Sequence, residues 1–393
     1  MSRFGGGPDD RQSRARRAGY DPEVLAGSTV IVVGVGALGQ NVLLDLGLTG
    51  LRELRIVDGD VFEDHNLTRS PLFPPGTGAV GAKKVGAVGA RLASIHTAAD
   101  PVVRIADAWI EELGLGAFEG VDVIAACVDS LHARSYLARV ALLLDLPIVD
   151  GGFSGANIGM TAYPADGEPS ERPCWSCGGP PTPGAFSCRQ AAEFATTSGA
   201  IPAIQNGAAA LGGLCAEAIV MMLHGRITQP RRISLDIRSG ESLVSIPGPA
   251  PECAANHRRL ASATASTLGP EATVRELLAV HGSGESPMLF LPDVFVERAT
   301  CPRCHGICAV DAPTHRWRRD PHCRTCGGPW ERLLQADGGG QEVILELDLD
   351  HPRADEPLLH FGVRPGDIVE LSGDESVTLR IAGDTATLWD GIS

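Results

Sequence analysis

From Thr29 onward the chain alternates short apolar runs with stretches of helical period. Thr29-Val30-Ile31-Val32-Val33 reads as a strand, broken by Gly34-Val35-Gly36-Ala37-Leu38-Gly39. A helix is expected from Gly39 to about Leu46, then a second strand from Glu53 to Val57 that ends at Asp58. Ala82 to Ser94 reads as a helix and Val102 to Ala106 as a strand. An apolar strand from Val121 to Val128 ends at Asp129, followed by a helix from Leu131 to Leu144 and a strand from Pro147 to Asp150. Strands alternating with helices in this way predict an α/β fold. Its sheet is expected to be doubly wound, Rossmann-like and mostly parallel, with helices on both faces.

Beyond Gly151 the pattern loosens until a helix at 207–223, with strands expected near 231–237 and 242–247. A Pro-, Ala-, Ser- and Thr-rich stretch at 249–272 reads as a linker, before a short helix near 271–281 and a strand near 288–296. The C-terminal residues alternate apolar and polar, as in Val343-Ile344-Leu345-Glu346-Leu347, which predicts a small antiparallel β module. The expected organisation is an N-terminal arm (1–27), a main α/β domain (28–258), a linker (259–295), a cysteine-bearing segment (296–333) and a β module (338–393).

Composition narrows the classes. A chain of 393 residues carries a prior of two to three domains. Lys and Arg total 33 against 48 Asp and Glu, a net charge of −15, which argues against nucleic acid or an anionic membrane as the main partner. With 44% hydrophobic and 21% charged residues, wholesale disorder is excluded. The most apolar run, Gly207 to Leu223, holds Glu217 and several glycines and reads as a buried helix, not a membrane span. No apolar stretch follows the N-terminal arginines, so no signal peptide is expected, and a cytoplasmic location is. Of the eleven cysteines, six form C-x-x-C pairs: Cys174/Cys177, Cys301/Cys304 and Cys323/Cys326. In a reducing compartment such pairs read as metal knuckles before disulfides. Cys127 and Cys215 fall in apolar patterns and read as core.

Gly34-x-Gly36-x-x-Gly39 lies between a strand and a helix, where backbone N–H groups can approach a phosphate at the helix N-terminus. Asp58, nineteen residues after Gly39, closes the next strand, where a carboxylate accepts hydrogen bonds from ribose hydroxyls. The loop alone leaves NAD, FAD and ATP open, and an NAD oxidoreductase is the alternative. The following residues separate these readings: Asp58-Gly59-Asp60, Asn66-Leu67-Thr68-Arg69, Lys84, and Asp129 at the end of a later strand.

This set resembles the ThiF/MoeB family and the adenylation domain of ubiquitin-activating enzymes, over roughly residues 11–257. The resemblance implies ATP-dependent adenylation of the C-terminal carboxylate of a ubiquitin-like or sulfur-carrier protein by a homodimer. The chemistry requires groups that hold ribose, neutralise phosphate, bind Mg²⁺ and stabilise the departing pyrophosphate. Asp58 suits the ribose, Asn66, Arg69 and Lys84 the triphosphate, and Asp129 the Mg²⁺; for Asp60 a nucleotide contact and a turn or capping role both stand. Arg11-Gln-Ser-Arg14 resembles the family's R-Y-x-R-Q segment, lacking its aromatic residue and its Gln. That likeness implies that Arg14 reaches the partner subunit's phosphates.

Cys188, in Phe186-Ser-Cys188-Arg-Gln, resembles the family cysteine that takes the acyl group for conjugation or sulfur transfer; an incidental cysteine is the alternative. Cys174 and Cys177 match the family's first zinc pair. Where the family has a second pair, this chain has Cys253-x-x-x-His257, giving a three-sulfur, one-nitrogen set; pairing of 174/177 with a later knuckle stays open. Cys301, Cys304, Cys323 and Cys326, with eighteen residues between the knuckles, read as a zinc ribbon that recruits a partner. Activation of a small peptide or other carboxylate, and a catalytically silent scaffold, are the competing functions.

Overall fold

Every residue of the run Thr29–Val33 (β1) is buried, because it is the middle one of five parallel strands within a nine-stranded sheet. The computed structural model describes residues 12–73, 80–178, 204–317 except 254, 256, 261 and 302, then 322–328 and 341–392. These divide into two units. The first is built from described residues within Met1–Ile110, Gly120–Arg259 and Trp389–Ser393, the second from those within Glu111–Glu119 and Leu260–Leu388.

In the first unit, β1 pairs in parallel with β2 (Glu53–Val57) on one side and β4 (Val123–Ala126) on the other. Strand β3 (Val102–Ala106) extends the sheet beyond β2, and β5 (Ile148–Ser154) extends it beyond β4, both in parallel. The order 3-2-1-4-5 reverses direction between β1 and β4, the crevice where doubly wound sheets bind ligands. Beyond β5 the sheet turns antiparallel through β6 (Asn157–Tyr163), β7 (Arg231–Asp236) and β8 (Ser242–Ser245). The sheet is thus built on the expected five-stranded parallel core, to which antiparallel strands are added at both edges. Strand β6 escapes the sequence pattern because its glycine and small residues blur the period. Its hairpin shows in Gly155, whose φ of +61° opens the two-residue turn between the paired Ser154 and Asn157.

Helices cover the sheet as the period predicts. Val30 and Val32 share a buried cluster with Val42 and Leu46 of α1 (Ala37–Thr49), Val88 and Leu92 of α2 (Lys84–Ile95), and Leu211 and Ile219 of a later long helix. Ile31 and Val33, by alternation, face the other side, where α3 (Leu131–Leu143) follows β4. The long helix, α4 (Gln205–Leu223), is long and apolar enough to cross a bilayer by length and composition. Its buried stripe instead packs on α1, β5 and β6.

The second unit departs from the expected boundaries. The segment expected as a linker supplies β9 (Thr264–Ala265), α5 (Val274–His281) and the start of β10 (Met288–Thr300). Strand β10 pairs with β11 (Ile307–Pro313), β12 (Gln341–Asp348) and β13 (Ile368–Ser372), and β13 pairs with β14 (Val377–Arg380). The ribbon and the β module thus share one six-stranded sheet rather than forming separate domains. Two register shifts, at Phe290/Phe295 and Val296/Arg298, break the alternation that would have announced a thirteen-residue strand. The final strand, β15 (Asp390–Ile392), belongs to the first unit, where it pairs antiparallel with β3 at the sheet edge.

Adjacent glycines of α4 test this packing. A Cβ on buried Gly212 would stand 2.6 Å from Asn41 Cβ of α1, whereas one on exposed Gly213 meets only Asp45 Oδ2 at 3.8 Å. Gly212→Ala should cost about 1–3 kcal/mol by overpacking. Gly213→Ala should gain about 0.5–1 kcal/mol of helix stability. Denaturant unfolding of the two variants checks this; equal effects would contradict the packing.

Candidate active site

The register aligns three strand ends. Val33 pairs with both Val57 and Ala126, so Gly34, Asp58 and Cys127 emerge side by side at the switch point. The Gly34 N–H donates to Val57 O at 2.8 Å and the Cys127 N–H to Val33 O at 2.8 Å. Gly34 has a φ of +89°, and a Cβ there would stand 2.6 Å from the Cys127 carbonyl oxygen, so only glycine fits. Gly39 is equally constrained: a Cβ would run into the Gly34 carbonyl. A Cβ on Gly36, at the N-cap of α1, would meet open space, which leaves that peptide approachable.

Asp58 is buried and holds this loop. Its Oδ2 accepts from the Val35 N–H at 2.7 Å and its Oδ1 from the Asp60 N–H at 2.8 Å. Burial pushes its carboxyl above the usual range, opposed by the Lys84 charge and by these two N–H groups. Lys84 is buried at the first position of α2, and its ammonium donates to Asp60 Oδ2 at 2.8 Å. Asp60 therefore anchors the lysine, a role distinct from a turn cap. Asn66 caps the 3-10 turn Asp64–Arg69, its Oδ1 accepting from the Glu63 N–H at 3.0 Å. Arg69 ends that turn half-buried and makes no ion pair with a described residue. Asp129 is exposed beyond β4, two residues after Cys127.

Two buried polar clusters went unread in the sequence. Gln40, in the first turn of α1, donates through Nε2 to Val35 O at 3.0 Å and to Ser70 Oγ at 3.1 Å, and accepts from the Leu72 N–H at 3.2 Å. Arg134 of α3 is buried against Asp150 of β5 and donates to Val128 O at 2.6 Å and Gly151 O at 2.9 Å, which fixes the backbone leading to Asp129. The available signal was a polar residue on the apolar face of a predicted helix.

Arg14 lies exposed on the short helix Ser13–Arg17, and its guanidinium makes no ion pair with a described residue. Cys188 lies outside the described residues. Cys215 is buried, and burial pushes the Cys127 thiol up to about 12, so neither is set up as a nucleophile.

Cys174, Cys177, Cys253 and His257 converge, their ligand atoms all within 4.8 Å of one another. The Cys174 sulfur stands 3.5 Å from Cys253 Sγ, 3.8 Å from Cys177 Sγ and 3.5 Å from His257 Nε2. A tetrahedron with zinc–sulfur arms of about 2.3 Å has edges of about 3.8 Å, so the set fits zinc. His257 Nδ1 lies 3.0 Å from Pro169 O; donating there leaves Nε2 as the ligand nitrogen. Cys174 packs with Ala138 and Leu142, which ties this cluster to α3.

In the second unit, Cys301, Cys304, Cys323 and Cys326 converge in the same way, with Cys301–Cys326 at 3.7 Å and Cys304–Cys323 at 3.8 Å. The two knuckles repeat one turn. His305 donates to Cys301 O, and Gly327 to Cys323 O, each with positive φ (+56° and +65°). The Arg303 and Thr325 N–H groups donate to the Cys301 and Cys323 sulfurs, both at 3.4 Å, as thiolate ligands require.

The ThiF family profile matches residues 10–255, more than half of the chain. The chain belongs to the ThiF family. The adenylyltransferase and sulfurtransferase MOCS3 of Mus musculus is 31% identical over 187 residues, 48% of this chain and 39% of that protein. The SUMO-activating enzyme subunit 2 of Dictyostelium discoideum is 27% identical over 126 residues, 32% of this chain and 19% of that protein. The matched regions span less than half the length of these curated relatives. Among solved structures, E. coli MccB with ATP superposes at a TM-score of 0.50 with 17% identity, covering 64% of this chain and 75% of that one. The glycine loop and the strand-end carboxylates fall inside the ThiF match, and the Cys301–Cys326 cluster falls outside it.

Metal content separates the two clusters. Purified protein should carry two zinc ions per chain, one for each set. Cys253→Ala and Cys304→Ala should each remove one by elemental analysis, and intact stoichiometry in either variant would show that its set is not a metal site.

Proposed function

We propose that this ThiF-family chain is an ATP-dependent adenylyltransferase that activates the C-terminal carboxylate of a ubiquitin-like or sulfur-carrier protein. One observation supports the reading: the buried Asp58 holds the glycine loop and the Asp60 turn, Asp60 holds Lys84, and Gln40 ties the same loop to Ser70, the residue that follows Arg69. An NAD site has no use for two cations there. The MOCS3 and SUMO-activating names of the relatives, and the ATP held by MccB, support the same chemistry.

In this reading the free face of Asp58 accepts the ribose hydroxyls, while Gly36 and the start of α1 receive the phosphates. A carrier carboxylate oxygen attacks the α-phosphorus, forming an acyl-adenylate and releasing pyrophosphate. Lys84 and Arg69 stabilise the charge that gathers on the departing group. Lys84 leaves Asp60 or shares it, since a single ammonium donates three hydrogen bonds. Asp129 holds Mg²⁺, which supplies charge neutralisation at the phosphates when bound. Arg14 reaches the active site of a second copy in a homodimer. The Cys188 thiolate then attacks the acyl carbon and expels AMP, leaving a thioester for conjugation or sulfur transfer. These steps belong to the cytoplasm, where the cysteine sets stay reduced.

Carrier-dependent exchange of labelled pyrophosphate into ATP tests the first step. Arg69→Ala and Lys84→Ala should each lower exchange about 10²-fold or more. Near wild-type exchange in both variants would sink the site assignment. The second step separates cleanly: Cys188→Ser should keep exchange but lose a reductant-sensitive carrier adduct. Survival of the adduct in that variant would move the nucleophile elsewhere.

A further inference from the structure

The adenylation reading leaves unexplained a fully buried amide that makes no contact with any proposed substrate group. Gln40 is 0% exposed, in a helix turn whose neighbours Val42 and Leu43 are apolar core. Burying a primary amide is unfavourable unless its hydrogen bonds are made, and three of its four are made here. Each goes to a different place: Val35 O of the glycine loop, Ser70 Oγ, and the Leu72 N–H. The Ser70 hydroxyl donates onward to Asn66 O at 2.8 Å, inside the turn that ends at Arg69.

Val35 is thereby held at both of its backbone groups, the N–H by Asp58 and the carbonyl by Gln40. The chain of bonds runs from the ribose-side carboxylate, through the glycine loop, to the segment that carries Asn66 and Arg69. Arg69 itself is half-buried without a described ion-pair partner, so the backbone at its base must set its position.

We infer that Gln40 is a positioning residue that locks the Asn66–Arg69 turn to the glycine loop and so aims Arg69 at the pyrophosphate leaving group. This rests on the adenylation reading. Gln40 touches no substrate and acts through Arg69. A shift of about 1 Å in a positioned group can cost about 10²-fold in rate, so loss of the clamp is felt in turnover more than in ATP affinity.

Gln40→Met keeps the length and volume of the side chain and removes all three bonds. In full-length protein it should lower kcat for pyrophosphate exchange about tenfold or more, with the KM for ATP changed less than threefold. Ser70→Ala, a milder change that removes the Gln40–Ser70 bond and the onward link to Asn66 O but keeps the Val35 and Leu72 bonds, should show the same split at smaller size. In an Arg69→Ala background, Gln40→Met should change exchange less than twofold, because the group it aims is gone. Hydrogen–deuterium exchange of the same proteins reads the clamp without any activity: amides in 64–72 should lose protection in Gln40→Met while β1 and β4 keep theirs.

The outcomes divide plainly. Wild-type protein without exchange activity sinks the adenylation reading, while protection at 64–72 still reports on the clamp. An active wild type with unchanged kcat in Gln40→Met, additive loss in the Arg69→Ala background, or unaltered protection at 64–72 overturns the positioning role.

Discussion

A buried carboxylate bonded to two backbone N–H groups governs the candidate site. Asp58 reaches from the end of β2 to the Val35 N–H of the glycine loop and to the Asp60 N–H of its own turn. An unpaired carboxylate in this position would be strongly unfavourable, and these two donors make burial tolerable. The loop can take this shape only because Gly34 and Gly39 carry no Cβ where the Cys127 and Gly34 carbonyls stand. Once the loop is fixed, the rest follows: the Asp60 backbone carbonyl accepts the Lys84 N–H, its carboxylate holds the Lys84 ammonium, and the start of α2 is placed. Local backbone chemistry thus fixes the shape of the candidate site at three parallel strand ends.

The parallel core and most of this cradle were legible in the sequence for one reason: each feature is local. The apolar run Thr29–Val33, the glycines that follow it and the carboxylate closing the next strand obey short-range rules of burial, sterics and strand length. What escaped depends on partners far away in the chain. Gln40 bonds to residues thirty and thirty-two positions on, and Arg134 to Asp150 across a helix–strand connection. The pattern can mark such a residue as lying on the apolar face of a helix, but it cannot name the distant partners that make its burial tolerable. The same limit applied to β15, whose partner β3 lies far back in the chain, Asp390 pairing with Ile105.

The cysteine sets show the complementary case. Their spacing is local within each knuckle, and Cys174 with Cys177 is joined by Cys253 and His257 only through the fold. His257 enters the first set with its other ring nitrogen turned to Pro169 O, a partner that no spacing rule supplies. In the second unit the boundary between ribbon and β module vanished because one bulged strand, β10, serves both. The Cys301–Cys326 set thus adjoins a strand that continues into the packed core of the second unit.

The account stands on the claim that the loop held by Asp58 is a site for ATP. Calorimetric titration of the full-length protein with MgATP, and separately with NAD⁺, tests this most directly. The account predicts saturable one-site binding of MgATP, no measurable heat with NAD⁺, and an affinity loss of about tenfold or more in Asp58→Ala, as expected for charged hydrogen bonds removed. Tighter binding of NAD⁺ than of MgATP, or MgATP affinity indifferent to Asp58, would contradict it.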